Sequence, residues 1–258
     1  MSANYSPAEM MTVASARALE NDDVCIVGIG APSAACNLAR LTHAPGIVLI
    51  YESGTLAAKP NVLPLSIGDG ELCETALCTV SVPEMFRYWL QGGRITTGFL
   101  GGAQIDRFAN LNTTVIGSYA KPKVRLPGGG GAPEIATSCG RILIIMSHSK
   151  RSFVERLDFF TTLGHGKGGN DRARHGVTTA GPTNVISDLC IMAPDPQTKE
   201  LTVMSLHPGV TRDQMQEATG WPIRFADLLA ETPPPTTREL AVLRELHART
   251  AAAHGEAA

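Results

Sequence analysis

Long apolar runs are missing from this chain of 258 residues: no stretch approaches the ~18 uninterrupted apolar residues of a membrane span. An excess of one charge is missing too. Lys and Arg total 22 against 24 Asp and Glu, a formal net charge of -2. That balance gives no broad basic field for nucleic acid or an anionic membrane, so an anionic ligand must be met by a few local cations or by backbone N–H groups. The opening segment, MSANYSPAEMMTVASARALEN, has no basic start followed by an apolar core, so it does not read as a secretory signal. The 6 cysteines (Cys25, Cys36, Cys73, Cys78, Cys139, Cys190) lack the spacing of a disulfide framework, and the 7 histidines show no pair at metal-ligand spacing. Reduced cysteines packed mostly as small hydrophobes, no metal, and a cytoplasmic location are the expectations. No Gly-x-Ser-x-Gly is present, which disfavours a serine hydrolase of the nucleophile-elbow design.

What is present is an ordinary globular apolar fraction, 43%, too high for a disordered chain. Val24–Gly28 and Ile47–Tyr51 are short apolar runs with the look of buried strands. Between them Pro32-Ser33 opens a stretch with Ala35, Leu38 and Ala39 at helical spacing. Strand–helix–strand predicts parallel pairing with a right-handed crossover. Further runs at Ile95–Leu100, Ile142–Met146, Asn184–Cys190 and Leu201–Met204 suit a sheet covered on both faces. Helical patterns lie at Pro83–Leu90, Thr211–Ala218 and Thr236–Ala253. Ser6 with Glu9, Thr211 with Gln214, and Thr236 with Glu239 have capping-box spacing, and Gly220 suits the residue past a helix end. The expected fold is α/β, an open, mostly parallel sheet covered by helices. Residues 1–232 form the main domain in this reading. Residues 233–258 supply a Pro-rich connector, a terminal helix and a frayed tail.

Three glycine-rich elements invite a ligand. Gly28-Ile29-Gly30-Ala31-Pro32-Ser33 follows a strand and opens a helix, and Glu52 ends the next strand, nearly the dinucleotide-binding arrangement. Ser33 at the third glycine position and the missing N–H of Pro32 count against it. Gly164-His165-Gly166-Lys167-Gly168-Gly169 lacks the spacing of a P-loop and reads as a mobile surface loop. Gly128-Gly129-Gly130-Gly131, between Pro127 and Ala132-Pro133, reads equally as a flexible loop or as backbone aiming N–H groups at an oxygen.

Tyr51-Glu52-Ser53-Gly54 at a strand end, Gly101-Gly102-Ala103-Gln104-Ile105-Asp106, Lys121-Pro122-Lys123-Val124-Arg125-Leu126-Pro127 and Gly128-Gly129-Gly130-Gly131-Ala132 form an ordered set. Together they resemble the beta subunit of class I, anhydride-forming CoA-transferases. The likeness runs from Tyr5–Met11 to Ser205–Thr211. It implies an open α/β sandwich and an active enzyme formed with a related alpha subunit, as a heterotetramer of two alpha and two beta chains. It places the nucleophilic glutamate at Glu52 and the glycine-rich loop near the thioester, for the oxyanion and CoA, at Gly128, Gly129, Gly130 and Gly131. It implies transfer of CoA from succinyl-CoA to the dicarboxylate 3-oxoadipate in aromatic catabolism. No resident cofactor is implied; CoA is a substrate, held covalently as a glutamyl thioester.

A carboxylate nucleophile suits that reaction, because its acyl product is an anhydride and keeps the activation that hydrolysis would discard. Such a nucleophile must be ionised, so its site cannot raise its pKa past neutrality. Water must also be kept out. Arg87, Arg94, Arg107, Lys121, Lys123 and Arg125 are the candidate partners of substrate carboxylates or CoA phosphates, with a surface role the simpler reading for each. The alternatives are a glutaconate-type transferase, a CoA-thioester hydrolase on the same scaffold, a nicotinamide-dependent oxidoreductase built on Gly28–Glu52, and a non-catalytic partner subunit.

Overall fold

The computed structural model describes residues 4–255. The chain forms two compact units, Met1–Phe99 with Pro234–Ala258, and Leu100–Pro233. The terminal helix belongs to the first unit. Its Leu240, Leu243 and Leu246 are buried, and it packs on the first two helices.

In the first unit, Ser6 caps α1 (Pro7–Arg17) in the expected capping box with Glu9. The strand–helix–strand unit follows as read: β1 (Val24–Ile26), α2 (Ala31–Thr42) and β2 (Val48–Ile50). β1 and β2 pair in parallel, Cys25 opposite Leu49. β3 (Thr55–Leu56), α3 (Gly70–Glu74) and β4 (Cys78–Thr79) come next. Ser81 and Glu84 then make a capping box, not recognised in the sequence, for α4 (Val82–Glu84). The stretch read as a continuous helix through Leu90 turns there into a π-helix, Met85–Leu90. β5 (Thr97–Leu100) completes this part of the sheet, in the order β5-β1-β2-β3-β4. β1 is parallel to both neighbours, whereas β3 is antiparallel to β2 and β4. The C-terminal helix, Thr237–His254, starts at the predicted Thr236–Glu239 box and ends at Gly255, whose left-handed conformation (φ 71°) closes it. Of the tail expected to fray, residues 256–258 lie outside the described residues. Arg17 grips this helix through paired bonds to Glu239 (2.7 Å each), and Arg244 reaches back to Glu9 (2.6 Å). That pairing holds the Glu9 carboxyl down at about 2.

The second unit begins with two hairpins, β6 (Gln104–Ile105) with β7 (Leu111–Asn112), and β8 (Val115–Gly117) with β9 (Pro122–Arg125). α5 (Ala132–Ser138), β10 (Arg141–Ile145), α6 (Asp171–Arg174), β11 (Pro182–Ile186), β12 (Cys190–Pro194), β13 (Leu201–Leu206), α7 (Arg212–Ala218) and β14 (Arg224–Glu231) follow. Strand order is β14-β13-β12-β11-β10. The apolar run Asn184–Cys190 is not one strand. Ser187 breaks it, its Oγ accepting the amides of Leu189 (3.2 Å) and Cys190 (3.1 Å), and β12 returns antiparallel to β11. The glycine-rich stretch at 164–169 is likewise not a mobile surface loop. Asn110 accepts the Gly164 and Gly166 amides (2.9 and 3.0 Å), and His165 is buried with its Nε2 2.8 Å from the Pro182 carbonyl. Gly220 lies past α7 but does not cap it in a left-handed conformation; Thr219 is the extended C-cap. A Cβ on Gly220 would sit 2.7 Å from the Phe153 carbonyl, so close packing requires the glycine. His148, Phe153 and Trp221 stack in this core.

Candidate functional site

β2 ends at Ile50, and the chain reverses through Tyr51-Glu52-Ser53-Gly54 into β3. The Gly54 amide donates to the Tyr51 carbonyl (2.9 Å), the Tyr51 amide to the Thr55 carbonyl (3.1 Å), and the Val80 amide to the Gly54 carbonyl (2.9 Å). Gly54 has φ 95°, and a Cβ there would stand 2.0 Å from the Val80 carbonyl oxygen. Only glycine meets both demands. The turn is anchored from inside as well. Tyr51 is fully buried, with its hydroxyl 3.2 Å from Ser33 Oγ on α2, and burial raises its phenol far above the ordinary range. Ser33, the residue that spoils the dinucleotide pattern, is thus a buried partner of the turn that carries Glu52.

Glu52 is half-buried. Among the described residues its carboxyl has no hydrogen bond or ion pair, and burial alone raises its pKa above the ordinary 4.5. A partly buried carboxyl without a partner marks Glu52 as a candidate for a functional role.

Gly128–Gly131 lie in the second unit, and β8 and β9 deliver them. The Leu126 amide donates to the Thr114 carbonyl (3.1 Å) and the Gly128 amide to the Thr113 carbonyl (2.9 Å), while Thr113 Oγ1 returns a bond to the Gly128 carbonyl (2.8 Å). The Gly128 N–H is therefore committed to fixing the loop. The amides of Gly129, Gly130 and Gly131 make no hydrogen bond among the described residues. Gly130 has φ 50°, and no atom lies within 4 Å of where its Cβ would be. Three consecutive free donors ahead of α5 form a surface suited to an oxyanion.

Other members of the ordered set are structural. Gln104 Oε1 accepts from Asn112 (2.7 Å) and the Asp158 amide (3.0 Å), and its Nε2 donates to Asp158 (2.9 Å). Asp106 accepts the amides of Phe108 (2.9 Å) and Asn110 (3.0 Å). Of the candidate cations, Arg107 is held by Glu155 and Glu200 (3.8 and 3.6 Å), Arg94 donates to the Tyr88 carbonyl, and Arg125 lies over the Tyr119 ring at 4.7 Å. Arg87, Lys121 and Lys123 are exposed. One cation that the sequence did not single out is Arg172. It is buried, bonded to the Leu163, Gly164 and Thr179 carbonyls and, at 2.6 Å, to the Ala136 carbonyl of α5. Burial lowers its pKa to about 10, which leaves it charged at neutral pH. It braces the helix that follows the glycine loop.

Residues 8–218 match the Coenzyme A transferase family. The chain belongs to the coenzyme A transferase family. It is 63% identical, over 98% of its length and 97% of the relative's, to the B subunit of the 3-oxoadipate CoA-transferase of Pseudomonas knackmussii. It is 34% identical, over 92% of its length and 91% of the relative's, to the B subunit of the glutaconate CoA-transferase of Acidaminococcus fermentans. The crystal structure of the glutaconate coenzyme A-transferase from that organism superposes with a TM-score of 0.88 at 32% identity, covering 94% of each chain. The α/β fold expected from the sequence holds, with parallel strands at the centre of the first unit's sheet and antiparallel pairs toward one edge. Among the described residues no helix is long and apolar enough to cross a membrane.

Proposed function

We propose that this chain is one half of a two-subunit transferase that moves CoA from succinyl-CoA to 3-oxoadipate, with Glu52 as the nucleophile. The observation that carries the substrate assignment is the 63% identity over 98% of the chain to the B subunit of a 3-oxoadipate CoA-transferase. An ionised Glu52 attacks the succinyl-CoA carbonyl and expels the CoA thiolate, leaving a mixed anhydride. The thiolate attacks the glutamyl carbonyl, releases succinate and leaves CoA on Glu52 as a thioester. 3-Oxoadipate attacks that thioester, expelling the thiolate and forming a second anhydride. The returning thiolate attacks the oxoadipyl carbonyl, forms 3-oxoadipyl-CoA and frees Glu52. Each step passes through an oxyanion, and the unpaired amides of Gly129, Gly130 and Gly131 are suited to receive one. Loss of one such donor typically costs ~10²–10³ in rate.

A partner alpha subunit completes the enzyme in this reading. Large apolar side chains stand exposed in the first unit, Leu77 at 83%, Leu65 at 62% and Tyr88 at 60%. A partner seated there would remove them from water. The test is co-expression with the alpha subunit and a rate comparison with succinyl-CoA and a panel of acceptors. 3-Oxoadipate is expected to turn over at least ~10-fold faster than glutaconate, the discrimination that ~1.4 kcal/mol supplies. Preference for glutaconate, or release of free succinate and CoA without an acceptor, would reject the assignment.

A further inference from the structure

The turn that carries Glu52 also holds two hydroxyls that the fold does not satisfy. Among the described residues, Ser53 Oγ and Thr55 Oγ1 are buried from solvent and have no hydrogen-bond partner. A buried hydroxyl without a partner destabilises the folded state, and alanine or valine would avoid the penalty. Such a cost is a reason to look for a use of the group in another state of the molecule. Thr55 lies within β3 and is 1% exposed, so little can reach it. Ser53 is different: it follows Glu52 directly, its residue is only partly buried, and its Oγ is hidden. The carboxyl of Glu52, the residue just before it in the chain, also lacks a partner among the described residues, so neither group is engaged by the rest of the fold.

We infer that the Ser53 hydroxyl donates a hydrogen bond to the oxyanion that forms on the Glu52 side-chain carbon during acyl exchange. The inference rests on the reading of Glu52 as nucleophile. In the exchange step the CoA thiolate forms a C–S bond to Glu52 Cδ of the anhydride, and the carbonyl π pair moves onto its oxygen. Collapse restores the carbonyl and breaks the bond from Cδ to the bridging oxygen, which departs with its electron pair as the released carboxylate. One anion enters and one leaves, with no proton transferred. A donor unused in the starting state and engaged only by that oxygen lowers the barrier without tightening substrate binding. The first and last of the four tetrahedral intermediates place their charge on the succinyl and 3-oxoadipyl carbonyls, and the middle two place it on Glu52, so a donor in the Glu52 turn serves the middle two.

The experiment compares the assembled two-subunit enzyme, wild type, Ser53→Ala and Ser53→Thr, mixed with succinyl-CoA. Rapid quench and intact mass follow the rate at which Glu52 gains CoA. Steady-state kinetics give kcat and KM, and a melting curve reports stability. The expected Ser53→Ala enzyme loads and turns over ~10²-fold more slowly, keeps KM within about twofold, and melts no lower than wild type. Ser53→Thr, which keeps the hydroxyl, is expected to recover at least ~10-fold of the lost rate. Wild-type loading by Ser53→Ala overturns the inference, as does a lower melting point for Ser53→Ala or an equal loss in Ser53→Thr. Failure of the wild type itself to acquire CoA on Glu52 rejects the nucleophile reading, a result distinct from all of these.

Discussion

At the scale of single residues, Glu52 is distinguished by what surrounds it. Its carboxyl is half out of water and faces no cation or donor among the described residues, so burial raises its pKa above 4.5. A carboxyl whose folded pKa is raised binds its proton more tightly in the folded than in the unfolded state. Stability from this group is therefore greatest at acid pH and falls as pH rises through the interval between the two values. Glu52→Gln is expected to melt higher than wild type at pH 7, with the difference gone below pH 4.5, while transferase activity drops at least ~10³-fold. The wild-type kcat/KM profile should show an acid limb above the ordinary glutamate value. Paired melting curves at the two pH values check the first point, and a lower melting point for the variant at pH 7 would contradict it. Ser33 looked like a damaged glycine motif, because nothing in the string reveals that Tyr51 needs its hydroxyl. Arg172 drew no notice, because a cation satisfied by carbonyl oxygens leaves no charge pattern.

At the scale of elements, local chemistry was mostly legible. The capping boxes at Ser6, Thr211 and Thr236 all form, since each depends on residues three apart. The β1–α2–β2 unit forms because its apolar runs are short, separate and flanked by turn residues. Asn184–Cys190 is not one strand because two polar residues inside it, Ser187 and Asp188, sit in a tight turn between short apolar pieces, the Ser187 amide donating to the Cys190 carbonyl (2.9 Å). β14 escaped notice because it is largely exposed and shows little apolar alternation. The Glu52 turn allows a sharp contrast. Gly54→Ala places a Cβ against the Val80 carbonyl at φ 95° and is expected to destabilise the protein by about 2–3 kcal/mol, with loss of loading at Glu52. Gly130→Ala meets open space but must hold φ 50°, and is expected to cost about 1–2 kcal/mol, less than Gly54→Ala, yet to slow turnover by obstructing the loop amides. Denaturant melts with parallel rate measurements separate the two. Equal stability losses would refute the account of why each glycine is present.

At the scale of the whole molecule, the chain divides at Phe99 and Leu100, a boundary invisible in the composition. The closing helix rejoins the first unit because Leu240, Leu243 and Leu246 bury against it and Arg17 and Glu9 are there to pair with Glu239 and Arg244. Glu52 lies in the first unit and the glycine loop in the second. In the proposed reaction Glu52 carries CoA covalently during turnover. The most direct test of this is mass spectrometry of the assembled enzyme quenched mid-turnover with succinyl-CoA, followed by digestion and sequencing of the peptide that contains Glu52. CoA is expected attached through a thioester to Glu52 and absent from Glu52→Gln; an unmodified Glu52 peptide in an enzyme that is turning over rules out covalent loading.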